Sequence, residues 1–206
     1  MSWSDVPSAH PALAECERMV AEAAELLTLA LRSEGKLLLC GNGGSASDCE
    51  HWAGELLKSY RRQRPIDPSR LPKDLAEGLS EPIPALPLTS FTAFNTAFSN
   101  DCDPALTFAQ LVLAFGRRGD VLCAISTSGS SPNILRAARV ASALGLRVLG
   151  ITGARGEQLA QLSDVAVKVP ATDTGRIQEL HLPLYHYLSE AVEAALFPVK
   201  GTRRHI

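Results

Sequence analysis

Two hydrophobic rhythms alternate along the chain. Short apolar runs occupy residues 36–40, 85–88, 121–125, 147–151 and 165–169, each bounded by Gly, Pro, Asn or Asp, and these predict strands. Between them lie stretches with apolar residues at helical spacing. A long leading segment, residues 10–33, is rich in Ala, Leu and Glu and stops at Gly35. Further helices are predicted over about 45–60, 89–100, 104–118, 133–144 and 157–162, with a final one over 174–196 that is apolar around most of its circumference. Strands that alternate with helices imply an α/β fold with a parallel sheet covered on both faces. A leading helix with an apolar stripe needs something to cover it, and a second subunit is the expected cover. Residues 61–84 break the pattern with clustered arginines and prolines, and predict a long loop holding one helical turn near 73–79.

Composition narrows the class without choosing a function. At 206 residues the chain is expected to form one domain, with a helical leader in 1–33, an insertion over 62–84 and a tail over 199–206. The net charge of −2 gives no reason to expect nucleic acid or a polybasic membrane contact. The five cysteines follow no C-x-x-C spacing, so neither a disulfide framework nor a zinc ribbon is indicated. A signal leader and an 18-residue apolar run are both absent, so a cytoplasmic location is expected.

The chemistry concentrates at two strand-to-helix turns. After the first strand come Gly41-Asn42-Gly43-Gly44-Ser45, where glycines permit close backbone approach and Ser45 reads as the N-cap of a helix. A helix start of this kind suits an anion, most often a phosphate. After the third strand come Ser126-Thr127-Ser128-Gly129-Ser130-Ser131-Pro132, with five hydroxyl groups where one cap would do. In a parallel sheet both turns lie at the carboxyl ends of strands, where ligands bind. Gly41 to Ala46 also fits a loose dinucleotide fingerprint. The following strand and acidic residue that a nucleotide site requires are missing, so no nucleotide cofactor is expected.

His51 and Glu55 sit four residues apart and therefore side by side on the first of these helices. The last helix carries Gln178, His181 and His186, and helical geometry turns the two histidines to different sides. Spacing does not choose between them. A His/Glu pair facing a Gln/His pair suits either a mixed nitrogen–oxygen zinc site or two acid/base groups flanking a carbon. Asn100-Asp101 is equally a helix end or a contact for a sugar hydroxyl.

Taken together, Gly41-Asn-Gly-Gly-Ser45, His51-Trp-Ala-Gly-Glu55, Asn100-Asp101, Gly119-Asp120-Val121, Ile125-Ser-Thr-Ser-Gly129 and Arg176-Ile-Gln-Glu179 with His186 resemble the phosphoheptose (sedoheptulose 7-phosphate) isomerase family of sugar-isomerase (SIS) domains. The resemblance runs from about residue 10 to 198, with the motifs in order. It implies a three-layer α/β/α sandwich with a five-stranded parallel, flavodoxin-like sheet, and a homotetramer with active sites at subunit interfaces. It also implies conversion of D-sedoheptulose 7-phosphate to D-glycero-D-manno-heptose 7-phosphate for nucleotide-heptose synthesis.

By the same resemblance Ser126, Thr127, Ser128 and Ser131, with Ser45, grip the phosphate, while Asn42, Gly43, Gly44, Asn100, Asp101 and Gln178 line the sugar. Glu55 moves the proton and His186 is the partner acid/base. His51, Glu55, Gln178 and His186 match a zinc set, one ion per subunit, which selects His186 over His181. The chain departs from the family in its long 66–84 connection and in Gly175, which stands where the family carries Asp. Two rival readings remain. One is a non-catalytic SIS protein that binds the DnaA replication initiator, of which Ala195-Leu-Phe-Pro198 is reminiscent; the other is an isomerase for a different sugar phosphate.

Overall fold

The apolar runs pair into one sheet. Strands β1 (Leu37–Gly41), β2 (Ala85–Pro87), β3 (Val121–Ser126), β4 (Arg147–Gly153) and β5 (Val165–Val169) are all parallel and lie in the order β2-β1-β3-β4-β5. The computed structural model describes residues 3–198, so the tail read at 199–206 falls outside the described residues. Parallel neighbours need crossover connections, and helices supply them. Helices α1 (Asp5–Ala9) and α2 (Glu17–Arg32) precede β1. Between β1 and β2 come α3 (Gly44–Leu57) and the short α4 (Lys73–Gly78). Next are α5 (Thr92–Asp101) and α6 (Thr107–Phe115), then α7 (Pro132–Ala143) after β3, α8 (Glu157–Gln161) after β4, and α9 (Thr174–Leu196).

Successive strand side chains point to opposite faces, and this alternation builds two cores. Leu37, Leu39, Cys123, Ile125, Ile151 and Val167 pack with residues of α2, α3 and α9, among them Leu27, Trp52 and Leu184. On the other face Leu38, Cys40, Leu122, Ala124 and Val148 meet α6, α7 and α8 through Val112, Ala138 and Leu159. The result is the expected three-layer α/β/α arrangement.

Several local readings are corrected. The long leading helix is present and differs only at its start: Pro11–Cys16 is a tight 3-10 segment with Leu13 and Cys16 buried, and it runs without a break into the α-helix at Glu17. Proline at the start of that segment fits a tight first turn, which a period count does not distinguish from a regular helix. Ser45 is not the cap of α3. Gly43 takes that place with φ +56°, a left-handed conformation that favours glycine, and Ser45 lies buried in the first turn.

Helix α9 is not apolar around its girth. It buries a broad stripe that contains His181, Ser189 and Glu193 as well as leucines. The insertion is anchored as well as looped. Arg64 is 1% exposed, pairs through Nε with Glu193 at 3.3 Å and donates to the carbonyls of Leu56 and Lys58, while Glu193 accepts the backbone N–H groups of Tyr60, Arg61 and Arg62.

Candidate active site

With strand order β2-β1-β3, the chain reverses direction across the sheet between β1 and β3, and the loops leaving those strands diverge there. A cleft of about 260 Å³ opens at that point, lined by Asn42, Gly43, Gly44 and Ser45 from the first loop, Ser126, Thr127 and Ser131 from the second, and Thr174 and Gln178 from α9. Three helix starts meet there, those of α3, α7 and α9. Each turns the positive end of its helix dipole toward the cleft. The lining holds hydroxyls and amides and neither lysine nor arginine, so an anion would be bound by dipoles and hydrogen bonds. Inside the second loop the Ser126 hydroxyl accepts from the Gly129 N–H and lies 3.2 Å from the Ser131 hydroxyl. At Gly44 the Gln178 amide of α9 lies where a Cβ would stand, so α3 and α9 are close at this end.

The two helices then run side by side. Gln178 meets Gly44, Tyr185 meets Asp48 and His51, and His186 and Ser189 meet Glu55. His51 lies six residues beyond Ser45, about 9 Å along the axis. Here three ligand-type atoms converge. Oε1 of Glu55 is 3.2 Å from Nε2 of His51 and 3.1 Å from Nε2 of His186, while its Oε2 accepts from the Ser189 hydroxyl at 3.3 Å. Glu55 is 6% exposed.

The approach of His186 lacks the alignment of a hydrogen bond, which leaves its Nε2 a buried polar atom without a partner. Partial burial holds the His186 imidazole below its ordinary pKa, with Glu55 pulling the other way, so the ring is neutral at neutral pH. Nitrogen and oxygen atoms that all lie within 4.8 Å of one another, with an orphaned imidazole nitrogen, fit a divalent metal. The 3.1–3.2 Å separations resemble the ~3.3 Å between neighbouring ligands of a tetrahedral ion with ~2.0 Å bonds. Tyr60 stacks on the outer face of His186 with ring centroids 5.7 Å apart.

Most of the residues read from sequence fall in these two places. Asn42, Gly43, Gly44, Ser45, Ser126, Thr127, Ser131 and Gln178 line the cleft, and His51, Glu55 and His186 form the cluster. Ser128 lines the adjoining cleft beside Arg155 and Glu157 instead. Asn100 and Asp101 lie exposed at the end of α5, where the Asn100 amide donates to Asp101, and neither lines the clefts around Asn42. His181 points away from the cluster, buried near the Thr152 backbone, with its pKa pushed down to about 4.

Sequence reasoning missed Thr174, Asp48, Tyr185 and Ser189. Asp48 carried a signal, since Asp48, His51 and Glu55 share one face of a helix at spacings of three and four. The other three depend on how α9 is rotated, which only packing sets. Asn133, which exchanges hydrogen bonds with Asn42, was also missed.

Comparison with known proteins agrees with this geometry. Residues 9–153 match the SIS domain family. The phosphoheptose isomerase of Rhodospirillum rubrum is 41% identical over 184 residues, which cover 89% of this chain and 89% of that protein. The phosphoheptose isomerase of Thermodesulfovibrio yellowstonii is 39% identical over 188 residues, 91% of this chain and 86% of that one. Among solved structures, a phosphoheptose isomerase from Neisseria gonorrhoeae matches with a TM-score of 0.73 at 33% identity, covering 94% of this chain and 100% of that one. Another, from Francisella tularensis, matches at 0.76 and 30% identity, covering 92% of each. By its sheet, its paired loops and these likenesses, the chain belongs to the SIS-domain family and, within it, to the phosphoheptose isomerases.

Proposed function

We propose that the chain interconverts D-sedoheptulose 7-phosphate and D-glycero-D-manno-heptose 7-phosphate by proton transfer through an enediol. The observation that carries this reading is the placement of the Glu55 carboxylate, flanked by two imidazoles, on the same helix as Ser45 of the hydroxyl-lined cleft and nearly three helical turns along it. An open-chain sugar phosphate anchored at one end lays its other end along the α3–α9 seam toward that carboxylate.

In this reading Ser45, Ser126, Thr127 and Ser131 bind the phosphate, with Thr174 beside them and Ser128 at the rim. Asn42, Gly43, Gly44 and Gln178 contact the chain of hydroxyls. The carboxylate of Glu55 removes the proton from C1 of the ketose and delivers a proton to C2 of the aldose. His186 is the partner acid/base on the oxygens, so that the proton on O1 of the ketose ends on O2 of the aldose. The Ser189 hydroxyl shares its proton between the Tyr185 carbonyl at 2.8 Å and the second carboxylate oxygen of Glu55 at 3.3 Å.

His51, Glu55 and His186 are assigned to a zinc ion, one per subunit; Gln178, read from the sequence as a fourth ligand, lies against Gly44 at the other end of the seam and is assigned to the sugar. When bound, zinc supplies positive charge that polarises a carbonyl oxygen. Asn100 and Asp101 lie exposed and apart from their own chain's cleft. We assign them to the sugar in a neighbouring subunit's site, within a homotetramer of single-domain chains. None of the described helices is long and apolar enough to cross a membrane, and a cytoplasmic enzyme is the reading adopted. A non-catalytic initiator-binding role is disfavoured, because a scaffold has no use for a buried carboxylate held between two imidazoles.

The test is direct. The purified chain incubated with sedoheptulose 7-phosphate is expected to yield the aldose, detected by anion-exchange chromatography. No aldose from this ketose, with turnover of another sugar phosphate, would move the assignment to that sugar.

A further inference from the structure

One polar chain beside the cluster has no role in the reaction as described. The Tyr185 hydroxyl donates to Oδ1 of Asp48 at 3.3 Å and lies 3.0 Å from Nδ1 of His51. Tyr185 is 1% exposed and its ring stacks on Trp52, so the hydroxyl is held in place. It has a single proton to give and two neighbours that compete for it.

Direction follows from the neighbours' chemistry. An ionised carboxylate only accepts, and the other oxygen of Asp48, Oδ2, is already buried without a partner. Sending the tyrosine proton to His51 would strip the carboxylate of the donor on its remaining oxygen, and a hydrogen bond to a charged acceptor is about twice as strong as one to a neutral acceptor. The O–H therefore goes to Asp48, and the tyrosine oxygen accepts from His51. A neutral imidazole that donates from Nδ1 carries no proton on Nε2. That bare Nε2 is the atom 3.2 Å from Oε1 of Glu55, with Nε2 of His186 on the other side of the same oxygen. Lone pairs facing one another at that spacing repel unless a cation lies among them.

We propose that Asp48 and Tyr185 are positioning residues that fix His51 as its Nδ1–H tautomer and so aim the Nε2 lone pair at the metal position. This rests on the metal reading above and adds to it a device supplied by this chain's α3–α9 seam. Outer partners of metal-bound histidines commonly govern affinity in this way.

Two measurements test it separately. In the first, long-range ¹H–¹⁵N spectra of the metal-free protein, at a pH where His51 is neutral, read its tautomer. The wild type is expected to show Nδ1–H, Tyr185→Phe to lose that preference, and Asp48→Asn to shift it toward Nε2–H, since an amide at residue 48 can donate to the tyrosine oxygen and free its proton for His51. A wild-type Nε2–H tautomer, or one unchanged in both variants, would overturn the proposal whatever the metal does.

The second measurement is zinc affinity, read by competition with a chromophoric chelator. Both variants are expected to bind about 10–100-fold more weakly than wild type, with unchanged circular dichroism. Wild-type affinity in Tyr185→Phe would overturn the positioning role and leave the metal reading standing. A wild-type chain that takes up no zinc would overturn the metal reading, and the positioning role with it.

Discussion

Two histidines of α9, five residues apart, have opposite surroundings. His186 faces the Glu55 carboxylate at the site, whereas His181 is 1% exposed beneath β4, and burial pushes its pKa down to about 4 from the ordinary 6.5. The consequence of the second is a pH dependence of stability. Below pH 6.5 the unfolded chain binds a proton at residue 181 and the native one does not, so this residue makes stability fall as pH drops from about 6.5 to 4 and is silent above that window. The shift corresponds to roughly 3 kcal/mol at the acid end. Urea unfolding of His181→Met and wild type at pH 7 and pH 4.5 should therefore show a shallower acid loss in the variant; parallel losses would contradict it. A second residue-level expectation concerns binding. Ser131→Ala removes one hydroxyl from the cleft proposed to bind phosphate in ground and transition states alike, so KM should rise about tenfold while kcat changes little. A pure fall in kcat, measured by steady-state kinetics, would place Ser131 in the chemistry instead.

At the scale of elements, the site is the product of two helices brought into line, and their alignment has a buried fastening. Glu193 near the end of α9 accepts three backbone N–H groups from residues 60–62 and pairs with Arg64, which also sets Tyr60 against His186. Removing one member leaves the other buried without its partner, at a cost of about 3–5 kcal/mol. Arg64→Met and Glu193→Gln are each expected to destabilise by that order in urea unfolding, and the double variant by less than their sum. Strict additivity would show that the two do not act as a pair.

The elements themselves were legible because each strand is a short apolar run closed by Gly, Pro or Asp, and Val165–Val169 and Thr174–Leu196 agree with the sequence reading to the residue. Their fine structure was not. Ser45 has the chemistry of a cap, yet the left-handed turn at Gly43 takes that position, because the chain must reverse tightly after β1. Arg64 sits in a run of exposed-looking arginines, and nothing in the sequence marks it as the one that a glutamate 129 positions away draws inside. Half of the site was readable for the same reason. Cleft-lining loop residues such as Ser126 and Ser131 announce themselves by composition, whereas Tyr185 and Ser189 depend on how α9 rotates against α3.

For the whole molecule, the sheet order sets the division of labour. Loops after β1 and β3 diverge to form the cleft proposed for the anion, and α3 and α9 run from it along one core face toward the proposed reactive end. Asn100 and Asp101 stand outside this plan within their own chain. If they serve a neighbour's site, inactive Asp101→Asn and inactive Glu55→Gln chains mixed under conditions of subunit exchange should regain activity, since some sites then combine the intact residue of each. Mixtures that stay inactive, with exchange verified by sedimentation of tagged chains, would return those two residues to a structural role.

The claim on which the rest depends is that Glu55 carries a carbon-bound proton. Sedoheptulose 7-phosphate turned over in deuterated water reports on it directly, because a carboxylate that exchanges its proton with solvent delivers deuterium to carbon. Wild-type protein should incorporate deuterium at C1 of the ketose and C2 of the aldose, and Glu55→Gln, with its fold intact, should incorporate none. Deuterium entering at the wild-type rate in Glu55→Gln would contradict the account.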